Sequence, residues 1–107
     1  MSDFVEVYPV RVLGEGDWIG ALEACRLCRI ELEIVMELAD LGLVSPRGGA
    51  PPDWQVPAGA LPLLALAGRL IQDLGVNVSG AVLAIELLEQ QRSLQRQLEL
   101  LERLTDG

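Results

Sequence analysis

The pattern of apolar and polar positions changes regime along the chain. Residues 4–12, "FVEVYPVRV", carry β-branched and aromatic side chains, which predicts a strand. Pro9 cannot donate a ladder hydrogen bond, so the strand belongs at a sheet edge. Gly14 and Gly16 end it. Asp17 can cap a short helix over residues 18–27, with Ile19, Leu22 and Ala24 as its apolar positions. A tight turn near Cys28 and Arg29 leads to a second helix over residues 30–41. There Ile30, Ile34, Leu38 and Leu41 form one apolar stripe. Gly42 suits the left-handed position that stops a helix.

The next stretch, "SPRGGAPPD" at residues 45–53, is rich in proline and glycine. Leu43-Val44 and Trp54-Gln55-Val56 flank it, as strands flank a hairpin with a long tip. A strand, a helix-turn-helix and such a hairpin outline a winged helix. From Pro57 the pattern is helical again. A helix over residues 58–74 tolerates Pro62 in its first turn and stops at Gly75, and Asn77 caps a last helix over residues 78–104.

That last helix carries a seam. Leu87, Leu94 and Leu101 recur every seventh position, Leu98 follows Leu94 by four, and Gln91 is a polar member of the same row. A run of about three heptads is marginal as an isolated coiled coil. Packing of the seam on its own domain is the plainer alternative, but a helix that runs this far past the last turn favours a homodimer, parallel or antiparallel. The fold class is mainly α, with a small antiparallel sheet at the wing and a long C-terminal helix for dimerisation. A chain of 107 residues fits one domain, with a winged helix-turn-helix part at 4–56 and a helical part at 57–107.

Charge changes the picture of a DNA reader. The net charge is −8, with sixteen acids against eight arginines and no lysine. Residues 1–57 hold ten of the acids and four of the arginines. The second helix carries Glu31, Glu33, Glu37 and Asp40 and no cation. Affinity for nucleic acid comes largely from cations that neutralise phosphates, so DNA and anionic membranes are poor partners. An acidic surface instead favours a basic protein and speeds the encounter. Leu32, Met36 and Trp18 are the candidate apolar anchors beside those acids. Each has a plainer alternative as a core residue.

Candidate chemistry is sparse. Without histidine or lysine, a triad base, a Schiff-base nucleophile and most zinc sites lose their usual residues. No glycine-rich phosphate loop is present, and the sequence predicts no enzyme, no metal and no cofactor. Cys25 and Cys28 are spaced for small core hydrophobes; a redox pair and a shared metal site are the alternatives. The early charges read as no signal peptide, and the longest uncharged run is too short and too proline-rich to span a bilayer, so the expected location is the cytoplasm.

The element order resembles a MerR-like winged helix. Within that superfamily "ELADLGLVSP" (residues 37–46), the wing residue Trp54 and "DLGVNVSGAVLAIELLEQ" (residues 73–90) are similar to the CbpM-type chaperone modulators. The resemblance covers about residues 4–104. It implies a small regulator that binds the J-domain of a DnaJ- or CbpA-type co-chaperone and inhibits its cooperation with a DnaK-type chaperone. It also implies that the co-chaperone's DNA binding can be suppressed. J-domains of this kind present a basic helical face, which the acids of the second helix would complement. The chain departs from the family where Pro57-Ala58-Gly59 replaces the usual acidic helix start, and where the following helix keeps only Arg69. The competing functions are a MerR-like DNA-binding regulator and an acidic adaptor for another basic protein.

Overall fold

The computed structural model describes residues 16–106. The strand expected at residues 4–12 lies outside them. The described chain runs through strand β1 (Trp18–Gly20), helix α1 (Ala21–Cys28), helix α2 (Leu32–Asp40), strand β2 (Gln55–Pro57), helix α3 (Leu61–Leu74) and helix α4 (Val78–Asp106). The fold is mainly helical with one small sheet.

Residues 18–20 depart from the expected helix. Trp18 and Ile19 are good strand formers, and β2 offers them an antiparallel ladder with Trp18 opposite Pro57, Ile19 opposite Val56 and Gly20 opposite Gln55. Gly20, rather than Asp17, then stands at the head of α1, where no side chain caps the helix. The Ala21 N–H donates to the Trp54 carbonyl at 2.8 Å, tying the start of α1 to the wing.

Arg29 takes the left-handed conformation, φ 59°, in the turn between α1 and α2. Its neighbours supply the hydrogen bonds that hold it there. The Ile30 N–H donates to the Cys25 carbonyl at 3.1 Å, and Gln72 Nε2 donates to the Arg29 carbonyl at 2.8 Å. α2 begins two residues later than expected, at Leu32. Ile30 is still buried, but from the turn. Inside α2 the buried positions are Val35 and Leu38, whereas Leu41, expected on the core stripe, is exposed. Starting the helical phase at Ile30 had rotated the stripe away from Val35. Gly42 stops the helix with φ 86°.

The wing is shorter than the expected hairpin. Leu43 and Val44 do not pair with β2; the one contact is an antiparallel bridge between Arg47 and Gln55. Prolines 51 and 52 lack N–H donors and open a 3-10 turn, Pro51–Asp53, instead of extending a ladder. The Trp54 Nε1–H closes the tip on the Gly49 carbonyl at 3.1 Å.

A 3-10 turn, Ala58–Ala60, leads into α3, which takes Pro62 in its first turn and ends at Gly75 with φ 71°. Asn77 caps α4: its Oδ1 accepts the Gly80 N–H at 2.7 Å. The core gathers Ile19, Cys25, Val35, Leu38, Val56, Leu64, Val82 and Ile85 from every element. α3 lies against α4 and α1, and α2 against α1 and α4.

Candidate functional site

The second helix turns its charges outward. At about 100° per residue, Glu33, Glu37 and Asp40 share an arc of about 60° on α2, opposite Val35 and Leu38. All three acids are exposed, as is Glu31 at the helix start. No cation lies within ion-pairing distance of them among the described residues, where Arg26 pairs with Glu23 instead. This is an unneutralised carboxylate face. Two exposed apolar side chains border it, Met36 on one side, 36% exposed, and Leu41 on the other, 45% exposed.

The anchors named from the sequence therefore separate. Met36 stands beside the carboxylates. Leu32 is half-buried and packs against the core, so it presents little surface there. Trp18 is half-buried in β1, and its ring lies under the Arg47 guanidinium at 3.9 Å. Leu41 was missed because it reads as core. Its signal was the four-residue step from Glu37, which puts it on the acidic side of the helix.

The wing lies next to α2. Its Pro51–Asp53 turn packs against both α1 and α2. On the other side of the α1–α2 turn, an open groove of about 490 Å³ runs between α1 and α3, lined by Leu27, Arg29, Ala65, Arg69 and Gln72 among others. The groove is of mixed charge, since Asp73 also lines it.

Cys25 and Cys28 lie in the core, and Cys28 Sγ donates to the Leu61 carbonyl at 3.5 Å. Burial, and next the Glu33 carboxylate, push the Cys25 thiol up; burial, and next Cys25, push the Cys28 thiol up. Both thiols are protonated at neutral pH, whereas the thiolate is the form that attacks a disulfide or binds a metal. The structure therefore favours the reading of these cysteines as small core hydrophobes.

On α4 the two sides of the helix have different fates. Val78, Ala81, Val82 and Ile85 are buried against the domain. Leu83, Leu87, Leu94, Leu98 and Leu101 fall within an arc of about 60° on the opposite side. Every one of these leucines is exposed, Leu94 at 65%, and Gln91 is exposed with them. Arg92, Arg96 and Arg103 continue the domain-facing side, within about 40° of one another. No described part of the chain covers the leucine row. No helix among the described residues is long and apolar enough to cross a membrane.

Residues 19–103 match the family described as MerR HTH family regulatory protein. Among curated proteins, the chain is 28% identical over 81 residues to a protein of Coxiella burnetii (strain Dugway 5J108-111), named chaperone modulatory protein CbpM. That match covers 76% of each chain. It is 32% identical over 71 residues to a protein of Pseudomonas putida (strain GB-1) with the same name, covering 66% of this chain and 70% of the relative. No solved structure gives a significant match.

Proposed function

The chain belongs to the CbpM-type chaperone modulators of the MerR-like helix-turn-helix family, and from that premise we propose that it binds the J-domain of a DnaJ-type co-chaperone and keeps it from its DnaK-type chaperone. The observation that carries this reading is the outer face of α2. A recognition helix that meets DNA needs cations to neutralise phosphates. This one offers Glu33, Glu37 and Asp40, with Glu31 at its start, and no arginine. Such a face suits a basic helical surface on a protein. The charges set the encounter rate and the choice of partner, while Met36 and Leu41 supply apolar contact. The role is regulatory and needs no catalytic group.

The leucine row of α4 supports a second element of the reading, a homodimer. Fully burying one leucine is worth about 1.5–3 kcal/mol, and Leu87, Leu94, Leu98 and Leu101 line one side of a helix that its own domain leaves bare. A second copy offers the same row in return. Gln91, inside the seam, disfavours slipped pairings at some cost in stability.

The deciding experiment is a calorimetric titration of the full-length protein with the isolated J-domain of the DnaJ-type protein from the same genome. Micromolar or tighter binding that weakens as salt rises is the expected result. Absence of heat at every salt concentration, with both components folded, overturns the J-domain reading.

A further inference from the structure

Arginine is the only cationic side chain this protein uses, and among the described residues one arginine is held more firmly than the others. The Arg47 guanidinium lies on the Trp18 ring, 3.9 Å from its centroid, and its Nε–H donates to Gln55 Oε1 at 3.0 Å. The backbone beneath it is fixed as well. The Arg47 N–H donates to the Gln55 carbonyl at 2.9 Å, and the Gln55 N–H returns the bond to the Arg47 carbonyl at 2.8 Å. Gly48 follows with φ 122°, which directs the chain away from the bridge. Stacking uses one face of the guanidinium and the Gln55 amide uses one edge. The fork of N–H groups on Nη1 and Nη2 has no partner among the described residues, and the residue is exposed.

We propose that Arg47, held over the Trp18 ring and hydrogen-bonded to Gln55, is a docking point on the wing that takes a carboxylate of the partner protein whose basic surface meets α2. A planar fork matches a carboxylate with two parallel N–H···O bonds. An arginine already immobilised by an aromatic ring and a side-chain amide loses little further freedom when it does so. Arginine and tryptophan are both enriched among the residues that carry most of the energy of protein interfaces. The position fits, because the turn Pro51–Asp53 of the same wing packs against α2.

The occupant is a single carboxylate rather than a polyanion. A polyanion on Arg47 would meet the repulsion of a protein of net charge −8 whose α2 carboxylates, Glu33, Glu37 and Asp40, are exposed. An acidic side chain set within a basic protein surface meets Arg47 while its neighbours meet α2. The inference rests on the reading of α2 as a binder of such a surface, and adds what that reading leaves open. Many proteins are basic; few carry one acid at the right distance from a basic patch. Arg47 thereby rejects basic surfaces that lack it, because its own solvation is lost without return.

The test is the kinetics of the isolated J-domain against the full-length wild-type protein, Arg47→Gln, Arg47→Lys, and a Glu33→Gln/Glu37→Gln variant, with circular dichroism to verify folding. Arg47→Gln is expected to dissociate on the order of 10-fold faster with association little changed, as for loss of one partner of a desolvated charged pair. Arg47→Lys should restore only part, since it keeps the charge and loses the fork. In a second series that pairs Arg47→Glu with single acid-to-arginine variants of the J-domain, one J-domain variant should restore binding and the others should not. Wild-type dissociation from Arg47→Gln, alongside slowed association of the Glu33→Gln/Glu37→Gln variant, overturns this inference and leaves the acidic face standing. No binding by the wild-type protein overturns the J-domain reading and this inference with it.

Discussion

A Cβ placed on Gly68 would stand 2.5 Å from Cγ2 of Ile30 and 3.3 Å from the Cys28 carbonyl oxygen. The bare backbone of α3 is what lets the turn between α1 and α2 seat against it. In a typical helix interior, glycine to alanine gains about 1 kcal/mol. Here overpacking opposes that gain by about 1–3 kcal/mol. Gly68→Ala should therefore cost a net of up to about 2 kcal/mol and lower the urea midpoint. The Ile30→Ala/Gly68→Ala double variant should lose less than the sum of the single losses, because the clashing methyl is gone. Additive losses would mean that the two residues do not share this space.

The outward carboxylates of α2 should act on rates before they act on stability. Glu33→Lys together with Glu37→Lys is expected to slow association with the J-domain about 10-fold or more at low salt, with the difference shrinking as salt rises. The thermal midpoint should stay near that of the wild type, because both side chains are exposed and have no ion-pair partner among the described residues. Stopped-flow mixing across a salt series measures this. Association kinetics that ignore the substitutions would remove α2 from the interface.

Leu94→Asp should leave the domain folded and abolish pairing of copies. The residue is 65% exposed and lies on the side of α4 opposite Val82 and Ile85, so its replacement opens no cavity in the domain core. Burying an unpaired carboxylate in each copy of a leucine row costs several kcal/mol, more than a seam of about three heptads can spare. Sedimentation equilibrium of the wild type and the variant gives the answer. A wild type that is already monomeric at tens of micromolar would refute the seam as a contact between copies.

Much of this architecture was legible because its signals are local. Gly42 and Gly75 take the left-handed conformation that ends α2 and α3, and Asn77 caps α4 through Gly80, each within a few residues of the feature it controls. The i, i+4 spacing of Glu33 and Glu37 likewise sufficed to put them on one face. What failed depended on partners distant in sequence. Trp18 becomes a strand residue only because Pro57 and its neighbours arrive to pair with it. The Arg47 guanidinium finds Trp18 across the wing, which no spacing in "SPRGGAPPD" announces. Leu32 is half-buried and Leu41 exposed because Ile30 packs from the turn rather than from the helix, so the buried face of α2 centres on Val35 and Leu38 instead of on a stripe that includes Ile30.

The two core thiols predict a pH dependence with a definite sign. Both have folded-state pKa values raised by burial, so the folded protein keeps protons that the unfolded chain releases above about pH 8.5. Stability from these groups is therefore complete below that value and falls as pH rises toward the folded pKa values. The chain has no lysine, which leaves Tyr8 and few other groups to titrate in the same range. Urea midpoints measured from about pH 7.5 to about pH 10 should decline for the wild type. The Cys25→Ala/Cys28→Ala variant should start lower and decline less. Equal slopes would show that the thiols are not responsible.

α4 runs unbroken from the buried Ile85 to the bare Leu87 and beyond, with no proline or glycine after Gly80 within the helix. The bearing of the leucine row relative to the domain is therefore set by residue count alone. Inserting one residue after Ile85 would swing the row by about 100°, and inserting seven would nearly restore its aim while moving it about 10 Å further out. The helix acts as both protractor and ruler: changes in its length alone, with every contact residue kept, would re-aim whatever the leucines grip.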